Sequence, residues 1–412
     1  MVYCGDCLDV LATLDANSVH AVVTDPPYDL VEPRASRNFL SGSKGRPRTE
    51  EEKQSRRGFM GQSWDGTGVA FQPATWAAVA RVMRPGAYLL AFGGTRTYHR
   101  MTCAIEDAGF IIRDCIMWIH GQGFPKSHNL DGGLGTALKP AYEPIVLAQK
   151  PLDGTYATNV QKWGCGALNI DRARIGMSQT DADFIRKTAR PNSAGHEHIG
   201  TVMNRPATPT VNVHAAGRWP ANITLDEEAA ALLDEQAGPS VARPVRPENI
   251  KRSGDGQARG LFGMGSKVQT GYYDLDVRVS RFFFVAKPSR AERERGLMSR
   301  TAQRVNDGRM TPIDNPYQRG ETERVNTHPT VKATALMRHL LTLAVPPGGT
   351  VLDPFMGSGS TGVAAVELGI DFIGIEKEQT YMDIAVARIT DAELRMEAAT
   401  VLPLFDHAGI AL

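Results

Sequence analysis

Cysteine is scarce in this chain. Cys4, Cys7, Cys103, Cys115 and Cys165 are its five cysteines in 412 residues. An odd, scattered set in a chain long enough to build its own core excludes a disulfide-stapled scaffold and predicts a reducing compartment. Cys4 and Cys7 make a CxxC, but no second pair stands at zinc-ligand spacing, so no metal site is expected. Long apolar runs are missing too, and the opening MVYCGDCLDVL has neither a basic stretch nor an extended apolar core. Both absences predict a soluble, cytoplasmic protein with no membrane partner. Charge of either sign is not in excess: the formal net charge is +1, so contact with a polyanion would depend on local patches rather than an overall field. The length exceeds the usual single-core size, which predicts a main body with one substantial insertion.

What is present alternates. Val19 to Thr24 (VHAVVT) is a short apolar run that ends at the stiff sequence Asp25-Pro26-Pro27-Tyr28, a buried strand followed by an extended loop. Residues 29 to about 63 are rich in Gly, Ser, Arg and Lys and read as a mobile basic loop. A helix over Trp76 to Met83, closed by Arg84-Pro85-Gly86, precedes a strand at Ala87 to Phe92; Met101 to Ala108 reads as helix, with strands within Ile111 to Ile119 and Glu143 to Gln149. This succession predicts an α/β body with a largely parallel sheet. Between residues 151 and about 285 the alternation fades into polar, Gly- and Pro-rich sequence, where the insertion belongs. A strand-like run returns at Arg281 to Lys287. Regular structure then resumes with a helix from about Ala333 to Ala344, a strand at Thr350 to Leu352, a helix to Leu368, a strand at Asp371 to Ile375 and a last helix from Thr380 to Ala398.

Two loops carry chemistry. In Asp353-Pro354-Phe355-Met356-Gly357-Ser358-Gly359, the glycines let backbone N–H groups and a helix N-terminus approach a ligand. Glu376, at the end of the next strand, can accept hydrogen bonds from both hydroxyls of a ribose. A nucleoside site fits these residues; so does an ordinary βαβ turn with a solvated terminal charge. Asp25 to Tyr28 likewise reads either as a rigid turn or as a carboxylate and a stiff backbone carbonyl facing an aromatic ring.

Taken with His328-Pro329-Thr330-Val331-Lys332, the two loops resemble the amino-DNA methyltransferases of the N4/N6 family, in the beta-class order with the DPPY loop first. The resemblance covers residues 1 to about 150 and 326 to 392. It implies an α/β fold, a Rossmann-like seven-stranded S-adenosylmethionine-dependent methyltransferase sheet with an inserted target-recognition region. Residues 1–150 would form the catalytic half, 151–325 the target-recognition insertion and 326–412 the cofactor-binding half. The methyl donor implied is S-adenosylmethionine, and the partner is double-stranded DNA. A homodimer and a cognate restriction endonuclease are compatible with the same resemblance. By family analogy Asp353, Pro354, Phe355, Gly357, Ser358 and Gly359 would line the cofactor pocket together with Asp25. Glu376 would hold the ribose, and Asp6 and Cys7 would stand near the cofactor adenine. His328, Thr330 and Lys332 would close over the methionine end. Ala333 and Ser360 depart from the family's usual Pro and Thr without removing a charge.

The chemistry needs these residue types. An exocyclic amine is a poor nucleophile because its lone pair is delocalised into the ring. Hydrogen bonds from its two N–H groups to the Asp25 carboxylate and the Pro26 carbonyl would localise that pair, with Pro27 stiffening the loop and Tyr28 stacking on a base flipped out of the duplex. Methylation at cytosine C5 needs a cysteine nucleophile, which in such enzymes follows a proline, and no cysteine here does. Within the family Asp-Pro-Pro-Tyr is typical of adenine-N6 enzymes, so adenine N6 is the expected target; cytosine N4, an RNA or protein amide, and a non-catalytic DNA-binding protein are the alternatives. Arg34, Arg37, Lys44, Arg46, Arg48, Arg56 and Arg57 would grip phosphates beside the flipped base, or else form a solvated loop. Arg218, Trp219, Lys251 and Arg252 are possible base contacts in the insertion. If the basic loop grips phosphates, duplex affinity falls steeply with salt in a fluorescence-anisotropy titration; flat binding would count against those contacts.

Overall fold

The computed structural model describes residues 1–30, 63–121, 123, 129–179, 182, 214–238, 278–286, 290–298, 300–305 and 322–406. The apolar runs become strands β1 (Val2–Cys4), β2 (Val19–Thr24), β3 (Met83–Phe92), β4 (Ile111–Ile119) and β5 (Tyr142–Gln149). Later in the chain come β6 (Ile223–Asp226), β7 (Phe284–Ala286), β8 (Thr350–Asp353) and β9 (Asp371–Glu376). All nine join one sheet in the order β1-β9-β8-β2-β3-β5-β4-β6-β7. β5 runs antiparallel to both its neighbours, and every other pairing is parallel.

The sheet is covered on both faces, which is why β2 and β3 read as unbroken apolar runs rather than alternating ones. One face carries α1 (Cys7–Thr13), α2 (Pro73–Val82) and α3 (Tyr98–Asp107), whose Leu11, Trp76, Val79, Met101 and Ile105 pack with Val22, Leu89 and Ile373. The other carries α6 (Thr334–Ala344), α7 (Ser360–Glu367) and α8 (Gln379–Asp406), through Leu336, Leu340, Val363 and Ile389 against Val23, Leu90 and Val351. Burying each such side chain contributes roughly 1.5–3 kcal/mol. Among the described residues no helix is long and apolar enough to cross a membrane.

Seven strands were expected, and the two extra ones, β6 and β7, come from the insertion. They extend the edge at β4, with Met117 opposite Ile223 and Thr224 opposite Phe284. A strand of four residues such as β6 is too short to impose a period on the sequence, while the strand expected within Arg281 to Lys287 forms as β7, preceded by a 3-10 turn over Val279–Phe282. α4 (Tyr156–Trp163) and α5 (Glu227–Ala237) also lie in this stretch. Buried Asn159 of α4 donates to the carbonyls of Pro85 and Cys165 and accepts from the Asp153 N–H, tying the start of the insertion to β3.

The topology decides where a site can form. From β8 the chain crosses through α7 to β9 on one side, and from β2 it crosses through α2 to β3 on the other. β8 and β2 are themselves adjacent, with Val351 opposite Ala21 and Leu352 opposite Val22. Crossovers that leave in opposite directions open a crevice beyond the carboxyl ends of the two strands. Asp25 directly follows β2 and Asp353 closes β8.

Gly359 caps α7 with φ of 79°, and a Cβ there would lie 3.0 Å from the Ala385 Cα of α8. Gly359→Ala is therefore expected to lower stability by roughly 1–3 kcal/mol. Gly109→Ala, strained in backbone (φ +94°) but with open space around it, should cost less; denaturant midpoints of the two variants measure the difference.

Candidate active site

The loop after β8 is held from inside. Asp353 is buried, and its carboxyl accepts from Thr24 Oγ1 at 2.7 Å, Thr361 Oγ1 at 2.6 Å and the Phe355 N–H at 3.1 Å. Burial pushes this group up to about 6, against the hydrogen bonds that favour its charge. Its side chain thus clamps the two crevice strands together. The Met356 N–H donates to the Ile375 carbonyl and the Gly357 N–H to Glu376 Oε2 at 2.8 Å, while Glu376 Oε1 accepts from the Glu378 N–H. Burial also raises Glu376, to about 7. Ser358 is gripped from α8 by Arg388, whose Nη1 donates to the Ser358 carbonyl at 2.6 Å. Arg388 is buried, and sequence reading missed it because a lone arginine in an amphipathic helix looks like a solvated charge.

Across the crevice, the loop after β2 meets residues from two distant segments. Lys332 Nζ lies 3.0 Å from Asp25 Oδ2 and 2.7 Å from Glu143 Oε2, and it donates to the Tyr28 hydroxyl at 3.1 Å. That hydroxyl donates in turn to Glu143 Oε2 at 2.8 Å. The Tyr28 carbonyl accepts from Thr97 Oγ1 at 2.8 Å, which fixes the far end of the loop. Burial raises the Asp25 carboxyl above the ordinary carboxylate range, and Lys332 offsets this only in part. Asp25 Oδ1 is buried and has no hydrogen-bond partner among the described residues. Such a group costs free energy unless something pairs with it. Glu143 was legible in the sequence only as the start of a strand; its reversed direction brings it to this end of the sheet.

The third wall is aromatic. His328 stacks nearly parallel to Trp64, with centroids 6.1 Å apart, and meets Tyr381 edge-on at 4.6 Å. Burial, with the Lys332 charge beside it, lowers His328 to about 3, so it is neutral at physiological pH. A Cβ on Gly357, which has φ of 54°, would come 2.8 Å from His328 Nε2; only glycine lets the turn pass beneath the ring. Trp64 follows from no motif read in the sequence. It is steered by its neighbour Asp65, whose carboxylate accepts from the backbone N–H groups of Asp29 and Leu30.

One cavity of about 900 Å³ joins these walls. Asp6, Cys7, Asp25 to Tyr28, His328, Thr330, Lys332, Asp353 to Ser358 and Glu376 all line it, as do Glu143 and Trp64. Asp6 caps α1 through the Leu8 N–H and pairs with Lys377 at 3.2 Å, while burial holds the Cys7 thiol protonated, pushed up to about 11. Gly359, expected to line the cofactor pocket, does not line the cavity; its bare Cα makes room for Ala385 instead. The basic residues Arg34, Arg37, Lys44, Arg46, Arg48, Arg56 and Arg57 lie outside the described residues, as do Lys251 and Arg252. Arg218 and Trp219 precede β6, whose direction matches β4; the carboxyl end of β4 leads to cavity-lining His120, so these two residues stand at the opposite end of the strands. Trp219 is exposed, with the Arg174 guanidinium 5.4 Å from its ring centroid.

A doubly wound sheet whose switch-point cavity brings the strand-end carboxylate of Glu376 beside a buried, half-paired Asp-Pro-Pro-Tyr loop is of the Rossmann-like class, in which ligands bind at that crevice. The sequence profile of the N6/N4 methyltransferases, described as DNA methylase, matches residues 19–387, and the chain belongs to that family. It is similar to the Type II methyltransferase M.HinfI of Haemophilus influenzae, 39% identical over 71 residues, which are 17% of this chain and 20% of that protein. It is also similar to M2.DpnII of Streptococcus pneumoniae, 45% identical over 62 residues, 15% and 23% of the two chains. The matched stretches thus span under a quarter of either relative. Among solved structures, the M1.HpyAVI-SAM complex aligns over 94% of this chain and 98% of its own, at 15% identity and a TM-score of 0.37. The cytosine-N4-specific PvuII DNA methyltransferase aligns over 96% and 91%, at 12% identity and a TM-score of 0.44.

The role that the family resemblance implies for Glu376, holding the ribose, would make the site pH-sensitive. Only its carboxylate accepts from two hydroxyls, and with the group at about 7 that form is lost as pH falls through neutrality. Affinity for S-adenosylhomocysteine should weaken by calorimetry from about pH 8 to about pH 6. The dependence should vanish in Glu376→Gln; a native Kd that ignores pH would remove Glu376 from the ribose site.

Proposed function

We propose that this chain transfers the methyl group of S-adenosylmethionine to the exocyclic N6 of adenine in double-stranded DNA. The observation that carries the reading is Asp25: one oxygen is tied to Lys332, and the other is buried with no partner beside a cavity that also holds Glu376. An amine N–H is the donor that this oxygen lacks.

The cofactor fits the residues present. Glu376 keeps acceptor capacity beyond its two backbone donors, Gly357 is bare where a side chain would strike His328, and the cavity is large enough for a nucleoside and a base. When bound, S-adenosylmethionine supplies an electrophilic methyl on a sulfonium. Asp25 Oδ1 accepts one amine N–H and the Pro26 carbonyl accepts the other, which turns the nitrogen lone pair out of ring conjugation and towards that methyl. Transfer would form the N–C bond at the expense of the methyl–sulfur bond, whose electrons would stay on sulfur, and the Asp25 carboxylate would take up the amine proton. Tyr28 lies under the base, its ring held because its hydroxyl is committed to Glu143 and Lys332. Neutral His328 adds no positive charge beside the sulfonium. The Asp-Pro-Pro-Tyr form of the loop supports adenine over cytosine. Residues 151–325 are the region assigned to reading the target sequence.

Incubation with methyl-labelled S-adenosylmethionine and duplex genomic DNA, followed by digestion to nucleosides, should place the label in N6-methyldeoxyadenosine. Label in N4-methyldeoxycytidine would move the assignment to cytosine, and unlabelled DNA would refute the reading. Asp25→Ala should slow transfer by roughly 100-fold or more while the cofactor still binds. Substantial surviving turnover would strip Asp25 of its role.

A further inference from the structure

Glu143 has no part in the mechanism as the sequence motifs describe it, yet it completes the charge balance of the site. The Lys332 ammonium has three hydrogens and meets three acceptors: Asp25 Oδ2, Glu143 Oε2 and the Tyr28 hydroxyl. The rings of Phe92 and Tyr28 close around it, with centroids 4.9 and 5.4 Å from Nζ. All three donors are spent inside this cluster, so Lys332 is committed to the acidic loop. We propose that Glu143 is a positioning residue for methyl transfer: acting through Lys332 and the Tyr28 hydroxyl, it fixes Asp25 Oδ2 and so presents Oδ1 to the amine, and it sets how basic that carboxylate is. The proposal rests on the reading of Asp25 as the amine's acceptor.

The charges do not cancel. One ammonium faces two carboxylates, and the shorter contact, together with the Tyr28 hydroxyl, goes to Glu143. Burial works against ionisation of Glu143, but Lys332 and the hydrogen bonds prevail and hold it below the ordinary carboxylate value. Asp25 is left above its own. The other groups facing the cluster are Asp353 at the end of β8, whose charge adds to that of Asp25, His120 beyond β4, which faces Glu143, and His328, which faces Lys332. Glu143 therefore draws off part of the stabilisation that Lys332 would otherwise give Asp25, and leaves it the stronger base.

The sign of each substitution follows. Asp25 acts as the carboxylate, so transfer is lost as pH falls through its raised value. In Glu143→Gln, which keeps an oxygen acceptor for Tyr28, Asp25 has Lys332 to itself and the acid limb moves to lower pH by about one pH unit. In Lys332→Met the cation is gone and the limb moves the other way. The measurement is the single-turnover rate of the full-length chain on duplex DNA as a function of pH, with the Kd for S-adenosylhomocysteine expected to be unchanged in Glu143→Gln. An acid limb that stays put or rises in Glu143→Gln overturns the proposal, since a merely structural role would lower the rate without moving it. The carboxyl carbon resonance of Asp25, identified by its loss in Asp25→Asn, reads the same titration without turnover. Its midpoint should drop in Glu143→Gln, and an unchanged midpoint overturns the proposal; native protein that labels no DNA would instead overturn the reading of function.

Discussion

The pairing of β2 with β8 is the constraint on which the rest depends. These strands are more than three hundred residues apart in sequence, and the Thr24 hydroxyl donates to the Asp353 carboxyl across their ends at 2.7 Å. The bond is buried, and an unpaired hydroxyl or carboxyl there would be costly, so each strand end fixes the other. From that junction one loop leads to Asp25 and the other to Gly357, and the cavity between them exists only because the two crossovers depart in opposite directions.

Electrostatics then decides what the cavity can do. Removing an ion pair from water costs several kcal/mol per charge, and a buried pair seldom repays this in stability. Lys332, Asp25 and Glu143 are all largely buried, with one positive charge for two negative ones. An arrangement of that kind makes physical sense as a device for holding a carboxylate ready to accept hydrogen bonds. The aromatic wall follows a similar logic: burial strips His328 of its proton, and Trp64 and Tyr381 enclose it without adding charge.

The departures from expectation have identifiable causes. β6 escaped notice because four residues carry too little pattern to stand out in a polar, Gly-rich stretch, whereas β7 falls inside the strand-like run at Arg281 to Lys287; both extend the edge that β4 leaves free. Gly359 was read as part of a ligand loop, since in sequence a glycine that admits a ligand looks the same as one that admits a neighbouring helix. Arg388 passed as one more charge on a helix and Glu143 as the first residue of a strand, because the sequence does not reveal that Ser358 would need an inward donor or that β5 would run backwards.

Local chemistry was legible from residue order alone. Apolar runs must be buried, Asp-Pro-Pro-Tyr must be stiff, and Gly357 with Glu376 suits a ribose, since each follows from covalent geometry and side-chain type. Adjacency was another matter. That Lys332 would join Asp25 rather than a cofactor carboxylate, and that Glu143 would share it, was decided by the sheet order and by one reversed strand. Contacts between residues that far apart are set by how complete elements pack, and no short stretch of sequence contains that information.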